Sequence, residues 1–426
     1  MKLVRTLAIV VSLITAAVMT ATAAAADPDP DTFAQPNGPW ITPQQTVSLE
    51  AFTEYEQLSE TLMGIDRRSD VVEVESIGTT THGRDIWLAK IGNPSKTPVM
   101  VITQQHGDEP HGTEAALHVI QWLGTNSAAA RAILDELYVL IVPRVNPDGS
   151  TIPERGNTDF TAPEADTRGC FNADGTVNPA RLNRGRGVYT TDLITADGDR
   201  LWSYDINRYH WMDWTESWQI QCNPDVGGVH FDPNQNPVPE AVAVVDAYEI
   251  HQPIWVIDVH NQDIDRIAFD ADPDGPNRPG RRHTSSVLWP TNTDVHPDAV
   301  DFSKQLALTM KLASMEKGFS EMDRYNGGSF PGIARNAYGL MAGDRIAAGE
   351  VGVGGSVLVE ISGQTEGTGD SLIGQKAIGM LNNEARLIIS AALEATADGS
   401  IYDLDPNLVD DLILDVDEDL DNPRTE

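Results

Sequence analysis

The sequence contains little cysteine and little lysine. Two cysteines in 426 residues exclude a disulfide-dense scaffold, and without C-x-x-C spacing they do not suggest a thiolate zinc site. Seven lysines and 22 arginines stand against 64 acidic residues, which gives a formal net charge of −35. Nucleic acids and anionic membrane surfaces repel a chain this acidic, so we expect neither as a partner.

Long hydrophobic runs are absent after the N-terminus, which excludes a later membrane-spanning helix. The N-terminus has two basic residues, an apolar run over 7–19 and an alanine-rich stretch that ends at Ala26. This pattern predicts a secretory signal peptide over residues 1–26 and a soluble mature protein that is secreted or periplasmic. In an exported chain, the two cysteines predict one disulfide between Cys170 and Cys222.

Three further regions are expected after the signal peptide. A short N-terminal extension (27–47) precedes one folded domain (48–397), and an acidic tail (398–426) follows it. The tail has eleven acidic residues and one arginine but lacks the ligand spacing of a calcium loop. Its composition therefore predicts a solvated extension.

Hydrophobic periodicity predicts alternating strands and helices, as in an α/β fold. The predicted strands are residues 71–76, 85–91, 99–104, 137–142, 254–260 and 357–361. The predicted helices are residues 49–63, 113–123, 239–250, 299–316 and 372–395. Two long loops, 148–202 and 263–282, join them, and loops of this length in a compact domain usually serve function or are mobile.

His106 and Glu109 form an H-x-x-E motif directly after the predicted strand 99–104. Because ligands in open α/β sheets gather at the carboxyl ends of strands, both side chains can reach one metal ion there. Zinc binds His nitrogen and Glu oxygen in tetrahedral geometry. A second pair at the same spacing, His111 and Glu114, is less favoured because it falls inside or beside the following helix.

A catalytic zinc site takes three protein ligands and leaves a fourth position for water. We interpret His260, at the end of the predicted strand 254–260, as the third ligand. Glu360 lies on the predicted strand 357–361, where alternation turns it away from its two apolar neighbours and toward the site. Two histidines, one ligand glutamate and a second glutamate are the components of a metal-assisted hydrolase.

The order of these elements resembles the zinc carboxypeptidases of the funnelin (M14) family over about residues 48–397. The family's H-x-x-E motif, N-P-D-G turn, D-x-N-R element, third-ligand His and late-strand Glu are matched in order by His106 and Glu109, residues 146–149, residues 205–208, His260 and Glu360. The resemblance implies a single α/β domain with a twisted mixed β-sheet, helices on both faces and one bound zinc ion.

The resemblance also implies roles for residues around the metal. Asp205 would hold the second ring nitrogen of His106. Asn207 and Arg208 would bind the C-terminal carboxylate of a peptide, since a guanidinium meets a carboxylate bidentately. Glu360 would take a proton from the attacking water and give it to the leaving amine.

Two assignments from the resemblance have open alternatives. Arg181 best fits the family's residue that polarises the scissile carbonyl, and Arg184 and Arg186 are the alternatives. Tyr325 begins a glycine-rich loop (325–329) and matches the family's tyrosine that folds over the bound substrate. Tyr338 is the alternative.

We interpret the chain as a secreted, monomeric zinc metallocarboxypeptidase whose substrates are peptide or protein C-termini. One alternative is a related zinc amidohydrolase that acts on peptidoglycan stem peptides or N-acyl amino acids. Another alternative is a non-catalytic binding protein on the same fold. The intact metal triad and Glu360 argue against the binding protein, because binding alone does not need them.

Overall fold

The computed structural model describes residues 52–152, 155–158, 188–194, 200–221, 232, 234–262, 284–317, 322–325, 327–363 and 375–413. Some sequence predictions lie outside these residues. They are the signal peptide (1–26), the N-terminal extension (27–47), the disulfide between Cys170 and Cys222, and the three arginines considered for the carbonyl, Arg181, Arg184 and Arg186.

The described strands and helices alternate along the chain, as predicted. The strands are β1 Val72–Thr79, β2 Asp85–Ile91, β3 Thr97–Thr103, β4 Leu137–Val142, β5 Val188–Ile194, β6 Arg200–Tyr204, β7 Trp255–Gln262, β8 Ser285–Leu288, β9 Met322–Asp323 and β10 Gly355–Ser362. The α-helices are α1 Tyr55–Asp66, α2 His111–Gly124, α3 Ala128–Leu134, α4 Pro147–Thr151, α5 Trp218–Gln221, α6 Pro239–His251, α7 Pro297–Lys317, α8 Ala334–Ala347, α9 Gln375–Asp398 and α10 Val409–Leu412. Among these described helices, none combines the length and apolarity needed to cross a membrane.

Eight of the described strands form one mixed sheet in the order β1-β2-β4-β3-β7-β10-β8-β9. Its centre is parallel, because β3 runs parallel to both β4 and β7, and β7 runs parallel to β10. The outer pairs β1 with β2, β2 with β4 and β10 with β8 are antiparallel, while β5 and β6 form a separate hairpin. The carboxyl ends of β3, β7 and β10 therefore meet at one edge, where a site is expected.

Side-chain alternation along the strands divides the core into two layers. In β3, Val99 and Val101 pack on the side of α2, α7 and α9, whereas Met100 and Ile102 pack on the side of α6 and α8. Burial of each such side chain contributes about 1.5–3 kcal/mol. Helices cover both faces of the sheet, which confirms the predicted fold class.

Several described elements differ from the sequence prediction: the strands β5, β6, β8 and β9 and the helices α3, α4, α5, α8 and α10 were not predicted, and α1 begins later than expected. Helix α1 begins at Tyr55 and not at residue 49, since Thr53 donates from its backbone N–H and its hydroxyl to the Glu114 carboxylate and stays outside the helix. Helix α8 was not predicted, because its two glycines, Gly339 and Gly343, weaken its intrinsic helix propensity. Packing of α8 against β7 and β10 stabilises it in the folded protein.

Residues 399–413 pack on the domain and differ from the predicted solvated extension. Ile401, Val409 and Ile413 are buried in the core layer that contains α7 and α9. The acidic side chains of this stretch remain exposed. The sequence prediction considered the acidic content of this segment and overlooked the three spaced apolar residues that anchor it to the domain.

Candidate metal centre and substrate site

Three neighbouring parallel strands bring the predicted metal ligands together. His106 and Glu109 lie in the turn between β3 and α2, and His260 lies on the adjacent strand β7. Glu360 on β10 pairs in register with His260. Because in-register neighbours point to the same face of a sheet, Glu360 and His260 project from the sheet side by side.

The turn after β3 is held by Gln104. Its backbone has a φ of 51°, which is uncommon for a residue other than glycine and is often found at functional sites. Its amide nitrogen donates to the Gly107 carbonyl over 2.9 Å, and its Oε1 accepts from Thr113 Oγ1 at 2.5 Å and from Arg144 Nε at 2.7 Å. These hydrogen bonds fix the turn that presents His106.

The ligand atoms of His106, Glu109 and His260 all lie within 4.8 Å of one another, and the three side chains are buried. His106 Nδ1 is 2.7 Å from Glu109 Oε1, and His260 Nδ1 is 2.7 Å from Glu109 Oε2. The two Nδ1 atoms are 3.1 Å apart. Two imidazoles and one carboxylate are a donor set that zinc takes in catalytic sites, so the residues present fit a zinc ion.

Each of the two imidazoles also contacts a carboxylate through its Nε2, while its Nδ1 faces Glu109. His106 Nε2 donates to Asp205 Oδ1 over 2.9 Å, and His260 Nε2 donates to Asp258 Oδ2 over 2.9 Å. Such partners fix the tautomer whose Nδ1 lone pair is available to a metal. The sequence analysis predicted Asp205 in this role but did not identify Asp258.

Opposite charges compensate one another within this buried group. Burial would raise the pKa of Glu109, but the charges and hydrogen bonds of His106 and His260 outweigh burial and hold it well below its usual range. Burial would lower the pKa of His260, but Asp258 and Glu109 raise it well above its usual value. A divalent cation at this group would supply positive charge beside the Glu109 carboxylate.

A buried hydrogen-bond chain runs from Asp258 to α8. Gln105 Nε2 donates to Asp258 Oδ2 over 2.7 Å, and Gln105 Oε1 accepts from His210 Nε2 over 2.5 Å. Burial lowers the pKa of His210 to about 4, so its ring is neutral at pH 7 and its Nδ1 accepts from the Tyr338 hydroxyl over 2.8 Å. Tyr338 is therefore a buried member of this chain, which leaves Tyr325 better placed to meet a substrate.

His111 and Glu114, the second H-x-x-E pair, have structural partners. His111 is the first residue of α2, is buried, and hydrogen-bonds through Nδ1 to Asn382 of α9. Glu114 accepts from the backbone N–H of Thr53 over 2.7 Å. Within the described ranges, the group of three that could hold a metal is His106, Glu109 and His260.

The D-x-N-R element forms a tight turn beside the metal group. Asn207 Nδ2 lies 3.1 Å from His260 Nε2, and its Oδ1 accepts from the Ala334 N–H over 2.8 Å. Arg208 Nη1 donates to the Asn207 carbonyl over 2.7 Å and lies 3.6 Å from Asp205 Oδ2, and its side chain is 12% exposed. The turn thus holds an amide and a guanidinium next to the metal ligands.

Arg155 is a cation at the metal group that the sequence analysis missed. Its Nη1 lies 3.5 Å from Glu109 Oε1, its Nη2 lies 3.3 Å from Asp205 Oδ2, and its side chain is 27% exposed. Asn146 of the N-P-D-G turn donates to the Gly156 carbonyl over 2.9 Å and anchors this segment. Arg155 follows the N-P-D-G turn closely in the sequence, and this position is the signal that could have identified it.

Glu360 and Tyr325 are in direct contact. Glu360 is half-buried, and its Oε1 accepts a 2.6 Å hydrogen bond from the Tyr325 hydroxyl. Tyr325 precedes Gly327 and Gly328, and Gly328 has a φ of 74° that favours glycine. The tyrosine of the glycine loop therefore reaches the strand residue that stands beside His260.

The comparisons with known proteins agree with this geometry. A family model described as zinc carboxypeptidase, peptidase family M14, matches residues 60–264. Carboxypeptidase D of Anas platyrhynchos is 32% identical over 123 residues, which cover 26% of this chain and 9% of that protein. Carboxypeptidase SOL1 of Arabidopsis thaliana is 29% identical over 126 residues, which cover 27% of this chain and 26% of that protein. The chain therefore matches only a minor part of the length of these two relatives.

Among solved structures, carboxypeptidase A from Helicoverpa armigera superimposes with a TM-score of 0.51. The match covers 86% of this chain and 78% of that chain at 17% sequence identity. At that identity the similarity shows a common fold.

Proposed function

We propose that this chain, whose residues 60–264 match the M14 model of zinc carboxypeptidases, is a member of that family and hydrolyses the C-terminal peptide bond of peptides. The observation that carries the proposal is the in-register pair of His260 and Glu360 beside His106 and Glu109. The pairing places Glu360, a carboxylate that is not a metal ligand, beside the predicted ligands. Metal-assisted hydrolysis needs this arrangement.

In the proposed reaction, His106, Glu109 and His260 hold one zinc ion. When bound, zinc supplies a Lewis acid and lowers the pKa of water at the site toward about 7. Glu360 accepts a proton from the attacking water and gives it to the leaving amine. The Tyr325 hydroxyl, which donates to Glu360 Oε1, orients that carboxylate and closes the site over the substrate.

Asn207 and Arg208 bind the terminal carboxylate of the substrate in this proposal. Both ends of the Asn207 side-chain amide have a neighbour: its Oδ1 accepts from the Ala334 N–H, and its Nδ2 lies beside His260 Nε2. Asn207 is therefore positioned before the substrate binds. Arg208 offers the planar fork that a carboxylate accepts bidentately. A peptide with a free C-terminus is therefore preferred over one whose terminus is blocked.

Loss of Arg208 should separate free-acid from amidated peptides. Arg208 holds the carboxylate in the ground state and in the transition state, so Arg208→Ala should mainly raise KM for a free-acid peptide. A charged hydrogen bond contributes about 1.5–3 kcal/mol, which corresponds to an increase of about 10- to 150-fold. Steady-state kinetics on a matched acid and amide pair measure the effect.

Arg386→Ala is the matched control for this test, because Arg386 lies on α9 and donates to Asn383 in an exposed hydrogen bond. It should leave both substrates unchanged. If the wild type cleaves acid and amide equally and Arg208→Ala changes neither rate, the carboxypeptidase proposal fails. A related amidohydrolase is then the better interpretation.

For the cation that polarises the scissile carbonyl, the family resemblance favours Arg181, with Arg184 and Arg186 as alternatives, and the structure adds Arg155. The contacts of Arg155 with Glu109 and Asp205 support Arg155. We expect Arg155→Gln to retain zinc and to lower kcat by about 10²- to 10³-fold, the usual cost of removing one such donor. Arg181→Gln should change kcat by less than about threefold, and the opposite ranking in kcat would assign the role to Arg181.

We further propose that the protein is exported after removal of residues 1–26, carries a Cys170–Cys222 disulfide, and acts as a monomer. The basic and apolar pattern of the N-terminus supports export, and export in turn supports the disulfide. Mass spectrometry of the protein from the culture medium, with and without reductant, tests both. An N-terminus at Met1 or two free thiols would refute them, and size-exclusion chromatography tests the monomer.

A further inference from the structure

Arg335 is a buried guanidinium in the first turn of α8. Its side chain is 2% exposed, and its Nη2 donates to the Gly328 carbonyl over 2.6 Å and lies 3.4 Å from Thr291 Oγ1. Its Nε is buried and has no hydrogen-bond acceptor among the residues that the structure describes. Within the described part of the chain, no carboxylate forms an ion pair with it.

A buried cation without an anionic partner is unfavourable, because it has lost water and gained no opposite charge. Burial lowers the pKa of Arg335 to about 10, and the positive charge of Arg208 lowers it further against the opposing influence of Tyr325 and Glu360. The group still carries its charge at pH 7. Arg335 and Arg208 are thus two cations near enough to repel each other, in a chain whose formal net charge is −35.

Arg335 lies at the proposed substrate site. The residue before it, Ala334, donates its N–H to Asn207, which is proposed to bind the terminal carboxylate. On its other side, a Cβ atom added at Gly327 would lie 2.7 Å from Arg335 Nη2, so the glycine loop that follows Tyr325 packs directly on the guanidinium. The side chain therefore lies between the carboxylate-binding turn and the loop that contacts Glu360.

We propose that Arg335 binds the side-chain carboxylate of a C-terminal aspartate or glutamate, so that the preferred substrates are peptides with an acidic last residue. This inference rests on the proposed carboxypeptidase function. Arg208 takes the α-carboxylate and Arg335 takes the side chain. A dianionic terminal residue thereby relieves the repulsion between the two guanidinium groups and supplies a direct ion-pair partner, which Arg335 lacks among the described residues.

The test compares peptides that are identical except for a C-terminal Glu, Gln, Leu or Lys. For the wild type, kcat/KM should be at least about tenfold higher for Glu than for Gln, since the two differ in charge and hardly in size. Arg335→Gln keeps a donor for the Gly328 carbonyl and removes the charge. It should lower kcat/KM for Glu by at least about tenfold, mostly through KM, and affect the Gln peptide much less.

Two further variants sharpen the comparison. Arg335→Lys keeps the charge without the planar fork and should retain a weaker preference for Glu over Gln. Arg345→Gln, at the other end of α8, removes an arginine that donates to the Gln252 and Pro253 carbonyls. It should keep the wild-type ratio of Glu to Gln.

The outcomes separate this inference from the proposed function. Cleavage of all four peptides without a preference for Glu overturns the acidic specificity and leaves the carboxypeptidase function standing. An equal loss on all four peptides in Arg335→Gln means that Arg335 only supports the loop, which also overturns it. Cleavage of none of them by the zinc-loaded wild type overturns the proposed function, and the acidic specificity with it. If Arg335→Gln does not fold, the wild-type ratio of Glu to Gln alone decides.

Discussion

His106→Ala and His260→Ala should each purify without stoichiometric zinc and without measurable peptide hydrolysis. His106 follows β3 and His260 lies on β7, and their Nδ1 atoms are 3.1 Å apart beside the Glu109 carboxylate. Removal of either leaves two protein ligands, and zinc sites in enzymes need three. Metal analysis of the purified proteins and hydrolysis of a free-acid peptide measure the two losses.

His111→Ala is the matched control, because His111 belongs to the second H-x-x-E pair and is equally buried. Its Nδ1 bonds to Asn382 and not to the metal group, so the variant should keep zinc and activity, with some loss of thermal stability. A His111→Ala protein without zinc beside a zinc-loaded His106→Ala protein would show that the wrong pair was chosen.

Glu360→Gln should bind zinc and peptide as the wild type does, while kcat falls by 10² or more. Glutamine keeps the size of the side chain and an oxygen that can accept the 2.6 Å hydrogen bond from Tyr325. It cannot take a proton from water, and loss of a general base typically costs about 10²- to 10⁴-fold. Metal analysis, peptide binding by titration calorimetry and steady-state kinetics give the three quantities.

Glu350→Gln controls for this substitution, since Glu350 is exposed and only 3.8 Å from Arg345 in a solvent-accessible pair. It should leave kcat unchanged. If Glu360→Gln keeps more than about a third of the wild-type kcat, Glu360 is not the base. If Glu360→Gln instead loses zinc, the side chain helps to hold the metal and the division of roles is wrong.

The sequence predicted most of the fold because the apolar periodicity of the central strands is strong. Residues 85–91 and 137–142 match β2 and β4 at both ends, and the alternation of β3 separates its two core layers as expected. Helix α8 was missed because its glycines conceal a helix that only tertiary packing stabilises. The acidic tail was misjudged over 399–413 because a few buried apolar residues outweigh many exposed charges.

The sequence by itself determined the chemistry available to the site. Their positions just after a predicted strand or near the end of one pick out His106, Glu109, His260 and Glu360, because the carboxyl ends of neighbouring parallel strands lie at one sheet edge. The sequence could not identify Asp258, Gln105 and His210 as one hydrogen-bonded chain, since only folding brings these segments within 3 Å of one another.

Only the tertiary structure decided between residues with identical local patterns. His106 and His111 share the same motif, but one meets His260 and the other meets α9. Arg155 and Arg335 carry no motif of their own, yet folding puts the first beside Glu109 and buries the second without a carboxylate partner among the described residues. The reason is physical: burial and the charges of distant segments set what a guanidinium or an imidazole can do, and neither is present in the unfolded chain.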